Sequence, residues 1–407
     1  MKYIVILGDG MADEPVDELS GKTPLEVANK PAIDYLTEYG ELGMVKTVPE
    51  GIPPGSDAAN LSVMGYNPAV FYSGRSPLEA ISMGIPLAET DVTLRCNLVT
   101  LSDHEPYRAK TMIDYSSDEI SSEEAAVLIK SVEEHLGTDR LHFHAGRSYR
   151  HLLVWNGGKT GNILTPPHDI PERPIAQYLP QGEAGALLLD LMERSAGLLR
   201  THPVNVRRQR DGLRPATSVW LWGEGKRPAL PNFEDKYGLK GSVISAVDLV
   251  LGIGLCAGLE AVDVPGATGN MHSNFDGKAQ AAIEQLLKKG KDFVYLHVEA
   301  PDECGHRHEI MNKVKSIEII DQQIVLPVKE ALDASGEAYS VMVLPDHPTP
   351  LRRRTHTSDP VPYLIYRSTD AQRRPVTAYT EKNGIAAGRY ITEGYTLMDR
   401  FIQTAKT

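Results

Sequence analysis

The sequence predicts an α/β fold, a mostly parallel central sheet with helices on both faces, and a smaller α+β domain inserted into it. Three observations lead there. Short apolar runs such as Tyr3–Leu7, Phe293–Val298 and Ser340–Leu344 suit strands covered on both faces. Helical patterns alternate with these runs, which implies crossover connections and parallel pairing. Between them lies a stretch of another texture, broken by prolines and carrying alternating strands. At 407 residues the chain is long for one core and comfortable for two domains. The expected division is a core of 1–84 and 181–407 with an insert of 85–180.

Taken in order, Tyr3–Leu7 is the first strand, and it opens at Gly8-Asp9-Gly10 into a loop. An amphipathic helix from about Ala32 to Tyr39 stops at Gly40, and Met44–Val48 is the next strand. Pro53, Pro54 and Gly55 then force a non-helical backbone ahead of a helical run, which places Ser56 at an N-cap beside free backbone N–H groups. Such a spot attracts an anion, phosphate above all. In the insert, Thr90–Leu101, Leu141–His144 and His151–Trp155 read as strands and Ser122–Leu136 as a capped helix. The prolines between 166 and 180 form a connector. Glu183–Leu199 is helical. After it, Ser218–Trp222 reads as a strand, Ser242–Val250, Ala279–Lys289 and Asn312–Ala334 as helices, and Val361–Tyr366 as the last strand.

A formal net charge of −12 argues against nucleic acid, whose backbone needs a basic face. Cys96, Cys256 and Cys304 form no CxxC pair, which suits a reducing cytoplasm. The N-terminal apolar run is too short for a signal peptide. Val243–Val262 is apolar, but Asp248 and its glycines favour a buried helix and turn over a membrane span. The expected protein is cytoplasmic, with no membrane or nucleic-acid partner; its oligomeric state is not legible.

The chemistry gathers behind three strands. Asp9 follows the first; Asp302 and His306 follow Phe293–Val298; Asp346 and His347 follow Ser340–Leu344, with His356 in the same connection. In an open α/β sheet ligands collect beyond the carboxyl ends of the strands, so these residues converge there with Ser56. Aspartates and histidines in this number exceed one tetrahedral centre and suit two divalent cations sharing a phosphate. A nearby cation would also lower the pKa of the Ser56 hydroxyl.

These motifs resemble the cofactor-independent phosphoglycerate mutases of the archaeal-type branch, within the alkaline phosphatase superfamily. The matching stretches are Gly-Asp-Gly-Met-Ala-Asp (8–13), Gly-Lys-Thr-Pro-Leu-Glu (21–26), Gly-Ser-Asp-Ala-Ala-Asn (55–60) and Gly-Arg-Ser-Pro-Leu-Glu-Ala (74–80). Tyr-Arg-His (149–151), Pro-Asp-Glu-Cys-Gly-His (301–306), Pro-Asp-His (345–347) and Thr-His-Thr-Ser-Asp-Pro-Val-Pro (355–362) continue the match. The resemblance implies that Ser56 is transiently phosphorylated. It also implies that Asp9, Ser56, Asp346 and His347 hold one metal, and Asp302, His306 and His356 the other. Manganese is expected first, with magnesium, cobalt or zinc as alternatives, and no 2,3-bisphosphoglycerate. Tyr-Gly-Leu-Lys-Gly (237–241) resembles the segment whose lysine contacts phosphate, which would be Lys240.

In the insert, Arg147, Arg150 and His151 lie within five residues, and arginine forks suit carboxylate and phosphate oxygens. By resemblance this domain holds the glycerate while phosphate moves from one hydroxyl to the other, and it closes to exclude water. The implied substrate is a small anionic phosphomonoester, 3-phosphoglycerate becoming 2-phosphoglycerate. A homoserine kinase-like phosphotransferase or a phosphomonoesterase on the same site is the alternative. Gly21-Lys22-Thr23 and Gly158-Lys159-Thr160 lack the first glycine of a phosphate-binding P-loop.

Overall fold

A computed structural model describes residues 1–403. The strands are β1 (Lys2–Gly8), β2 (Glu41–Val45), β3 (Val92–Leu101), β4 (Met112–Asp114), β5 (Leu141–His144), β6 (Arg150–Trp155), β7 (Ser218–Lys226), β8 (Gly241–Ile244), β9 (Glu260–Val262), β10 (Phe293–Val298), β11 (Tyr339–Leu344), β12 (Val361–Arg367) and β13 (Tyr390–Ile391). They fall into two compact units. One comprises Met1–Tyr72 and the chain from Ala229 onward, the other Ser73–Pro228.

The first unit holds a sheet in the order β13-β2-β12-β11-β1-β10-β8-β9. β1 pairs in parallel with both β10 and β11, and β12 runs against its two neighbours. The register sets Leu7 opposite His297 and Leu344, so three strands reach the same edge at the same level. One face of β1 (Ile4, Ile6) packs with Val294, Leu296, Val341 and Val343 under the helices Pro31–Glu38, Phe275–Leu287 and Ile310–Ile319. Tyr295 faces the other way, and its hydroxyl donates to Asn60 on the helix Ser56–Val63. Helices therefore cover both faces, as continuous apolar strands require.

The Asn312–Ala334 pattern is a helix in three parts. Ile310–Ile319 passes through a π-type turn at Ile320–Val325 into Leu326–Ser335. Pro327, which has no N–H, sits just past that turn. The turn carries Asp321, whose carboxylate accepts from the N–H groups of Ala32 and Ile33 at 3.3 and 2.7 Å. It thereby caps a helix whose own N-cap residue, Lys30, supplies no side-chain bond. A helix over Ser242–Val250 is not formed. Gly241–Ile244 is a strand paired with β10, and the helix begins at Asp248. A short apolar run fits a buried strand or a buried helix equally well by pattern.

The second unit has antiparallel strands in the order β4-β3-β6-β5, with β7 also paired to β3. The helices Ser122–Leu136 and Gly185–Arg200 pack on it through Leu128, Val132, Leu188 and Met192. The insert is thus longer than 85–180. The strand at 218–226, expected in the core, joins this second sheet instead, and the helix at 185–200, also expected there, packs on it. Among the described residues, no helix is long and apolar enough to cross a membrane.

Candidate metal centre and nucleophile

Ser56 is the first residue of its helix, and Gly55, with extended backbone (φ −178°), takes the N-cap position. The serine is thus one place further in than its sequence suggests, and its hydroxyl is left for other partners. Ser56 Oγ lies 3.1 Å from His347 Nε2 and 3.4 Å from Asp9 Oδ2. One turn on, Asn60 Nδ2 donates to the Ser56 carbonyl at 2.8 Å and to Asp346 Oδ2 at 2.9 Å. The helix is thereby fixed against the loop that follows β11.

Asp9, Asp302 and Asp346 are buried at the carboxyl edge of β1, β10 and β11. Asp346 Oδ1 accepts from the N–H groups of Gly10 and His347, at 3.2 and 2.9 Å. Asp9 Oδ1 is buried and accepts no hydrogen bond. Burial, followed by the charges of Asp346 and Asp302, pushes the Asp9 carboxyl well above its usual range. A carboxylate cluster of this kind needs a positive charge among its members.

Two groups can each close on a cation. Asp302, His347 and His356 bring ligand atoms within 4.8 Å of one another, and so do Asp9, His297 and Asp346. His306 joins the first group, its Nε2 lying 3.2 Å from Asp302 Oδ2 and 2.9 Å from His356 Nε2. His306 Nδ1 is directed at the Arg354 carbonyl at 3.0 Å, which turns Nε2 inward toward Asp302 and His356. The Asp302 hydrogen bond, opposed by burial, raises the His306 imidazole to about 9. Burial alone would raise Asp302, but the hydrogen bonds from His306 and His356 overturn it and hold Asp302 well below the carboxylate range. Carboxylate and imidazole donors with one unsatisfied buried oxygen fit divalent cations.

The sequence model of the 2,3-bisphosphoglycerate-independent phosphoglycerate mutase family matches residues 37–205. A probable 2,3-bisphosphoglycerate-independent phosphoglycerate mutase of Geobacter sulfurreducens is 48% identical over 403 residues, covering 99% of this chain and 100% of the relative. The corresponding mutase of Methanosarcina barkeri is 49% identical over 386 residues, 94% of each chain. This chain belongs to the 2,3-bisphosphoglycerate-independent phosphoglycerate mutase family. Among solved structures, a Pyrococcus horikoshii protein superposes with a TM-score of 0.83 at 27% identity, covering 99% of this chain and 96% of that one. The fold is also that of the cofactor-independent phosphoglycerate mutase from Thermoplasma acidophilum, with a TM-score of 0.67 at 24% identity over the whole of both chains.

Within this mutase-family site, Asp9, Ser56, Asp302, His306, Asp346, His347 and His356 come together. Lys240 does not join them. It precedes β8 at the amino edge of the parallel sheet, with its N–H donating to Asp292, while the candidate ligands stand at the carboxyl edge. The short motif around Lys240 carried no information about which end of a strand it would occupy.

His297 is the residue that the sequence reading passed over. It lies inside β10 rather than after it, and its Nε2 is 3.0 Å from Asp9 Oδ2. Its Nδ1 is 3.1 Å from Ser245 Oγ, and Lys278 Nζ donates to its carbonyl at 2.9 Å. Burial brings the imidazole down to about 3, so it is neutral. A lone polar residue in an otherwise apolar strand was the available signal.

In the insert, Arg147 and Arg150 are exposed, and the Arg150 guanidinium lies over the Tyr149 ring. His151 is buried, contrary to a role as a surface ligand. Its Nδ1 accepts from the Gly146 N–H at 3.0 Å, which ties the two ends of the turn together.

Proposed function

We propose that the chain interconverts 3-phosphoglycerate and 2-phosphoglycerate through a phosphoserine at Ser56, on two divalent cations of which manganese is the first choice. The observation that carries this is the position of Ser56 Oγ, within 3.4 Å of both His347 and Asp9 at the start of a helix, in a chain of this family. Asp9, Ser56, Asp346 and His347 would hold one cation and Asp302, His306 and His356 the other. When bound, the cations lower the pKa of the serine hydroxyl and neutralise charge on the phosphoryl oxygens.

Ser56 Oγ forms a bond to phosphorus as its proton leaves, and the bond from phosphorus to the glycerate O3 breaks. That oxygen takes up a proton. The glycerate turns, its O2 hydroxyl gives up a proton and attacks the phosphoserine, and Ser56 is regenerated. Atoms and charge balance, and no nucleotide is consumed. The backbone N–H groups at the helix start favour the dianionic phosphoryl group. Arg147 and Arg150 in the insert, with forked donors and exposed side chains, suit the glycerate carboxylate.

The test is to incubate purified protein with 3-phosphoglycerate and a divalent metal, without ATP or bisphosphoglycerate. Accumulation of 2-phosphoglycerate is expected. Release of inorganic phosphate alone would make the protein a phosphomonoesterase, and a strict need for ATP would make it a kinase.

A further inference from the structure

Behind the ligand residues stands a hydroxyl for which the reading above has no use. Thr349 is fully buried, three residues past Asp346. Its Oγ1 donates a short hydrogen bond to Asp302 Oδ1 and lies 3.3 Å from His347 Nδ1. One hydroxyl has one proton to give. With that proton committed to the carboxylate, His347 Nδ1 can bond to Thr349 only as the donor, so the imidazole carries its hydrogen on Nδ1. Nε2 is then an open lone pair, and this is the nitrogen that faces Ser56, Asp346 and Asp9, at 3.1, 3.4 and 3.6 Å.

The placement of this hydroxyl is over-determined. Lys313 Nζ donates to the Thr349 carbonyl at 2.9 Å, to Asp13 Oδ2 at 2.7 Å and to the Ala12 carbonyl at 3.4 Å. Asp13 in turn accepts from the Leu351 N–H at 3.2 Å. The loop after β1 and the loop after β11 are thus fastened to one buried ammonium. Gly10, at φ +63°, closes the other side: a Cβ there would sit 2.6 Å from Thr349 Oγ1 and 2.8 Å from Asp302 Oδ1. Little space remains for another threonine rotamer. A buried ion pair is weak as a source of stability but well suited to fixing one arrangement.

We infer that Thr349 is a positioning residue of the metal centre, orienting the Asp302 carboxylate and setting the His347 tautomer so that each presents a ligand atom to its own cation. The Lys313–Asp13 pair holds it in register. This rests on reading Asp302 and His347 as metal ligands, and partners of this kind typically change metal affinity by about 10- to 100-fold.

The experiment compares Thr349→Val, which keeps the shape and loses the hydroxyl, with Thr349→Ser, which keeps the hydroxyl and loses the methyl. Chelator-treated proteins are titrated with Mn2+, and free Mn2+ is read by electron paramagnetic resonance. The valine variant is expected to lose about tenfold or more in affinity, and the serine variant to stay near wild type. Equal affinity in all three, or a serine variant as weak as the valine one, overturns the inference. If wild-type protein takes up no Mn2+, the ligand reading itself fails. A second measurement needs neither metal nor a folded variant at position 349. Ring nitrogen shifts of metal-free wild-type protein, with the His347 signals found by their loss in His347→Gln, should show the Nδ1–H tautomer. The Nε2–H tautomer there would refute the role given to Thr349.

Discussion

At the scale of single residues, Ser56 combines a small side chain with a position that little packing depends on. Ser56→Ala is expected to abolish turnover while leaving the fold intact and the melting temperature close to wild type, because it removes the nucleophile and little packing volume. Trapped wild-type enzyme should carry phosphate on Ser56, and peptide mapping that finds it on another side chain refutes the assignment. The residues around this serine were legible in the sequence for one reason. Asp9, Asp302 and Asp346 each follow an apolar run, and topology brings the ends of such runs to one edge. His297 escaped because it lies within its strand, where the pattern predicts an apolar side chain. Lys240 misled for the converse reason, since a motif placed before a strand lies at the wrong edge whatever its residue types. The charge state of these groups depended on burial, which sequence does not carry.

At the scale of elements, the turn from Gly146 to His151 in the insert joins two questions. Its exposed arginines are the proposed glycerate anchor. Losing a charge-assisted bond of this kind typically costs about 1.5–3 kcal/mol, or roughly a ten- to hundredfold change in partitioning. Arg147→Ala or Arg150→Ala should therefore depress mutase turnover far more than hydrolysis of a generic phosphomonoester, with more phosphate released per product isomerised. A parallel fall in both activities, or no fall, removes these arginines from the site. The same turn is pinned by buried His151, whose imidazole burial has lowered to about 3. An unfolded histidine titrates near 6.5. From there down to about pH 3 the unfolded chain binds a proton that the folded one refuses, so stability falls as pH falls, by up to about 1.4 kcal/mol per unit. Denaturant melts from pH 7 to 4 should show this slope flattened in His151→Asn; an unchanged slope assigns it elsewhere. Most strands and the helix at 122–136 could be read directly from their patterns. The error lay in membership. Whether β7 pairs with β3 or with the core sheet is a long-range choice that its sequence does not record.

Across the whole molecule, the core gathers buried carboxylates from three separated segments, and the repulsion among them opposes folding unless cations are bound. Chelation should lower the melting temperature and abolish activity together. Refilling with manganese or cobalt should restore more than magnesium does, because imidazole ligands favour borderline metals. At free metal about a hundredfold above its Kd the gain is about 2.7 kcal/mol per site. Calorimetry that finds the melting transition indifferent to chelator would sink the two-cation reading. The order of the strands has a consequence for biosynthesis. β1 leaves the ribosome long before its neighbours in the sheet, β10 and β11, so it waits until they are translated. The insert, whose strands β3 to β7 find their partners within one continuous stretch, has everything it needs far earlier. Domains generally fold as units in the order of synthesis. The nascent chain therefore carries a complete insert while Asp9 still lacks Asp302 and Asp346. No truncated product ending before β11 can assemble the set of ligands, and an aborted chain is born without the phosphate chemistry of the finished one.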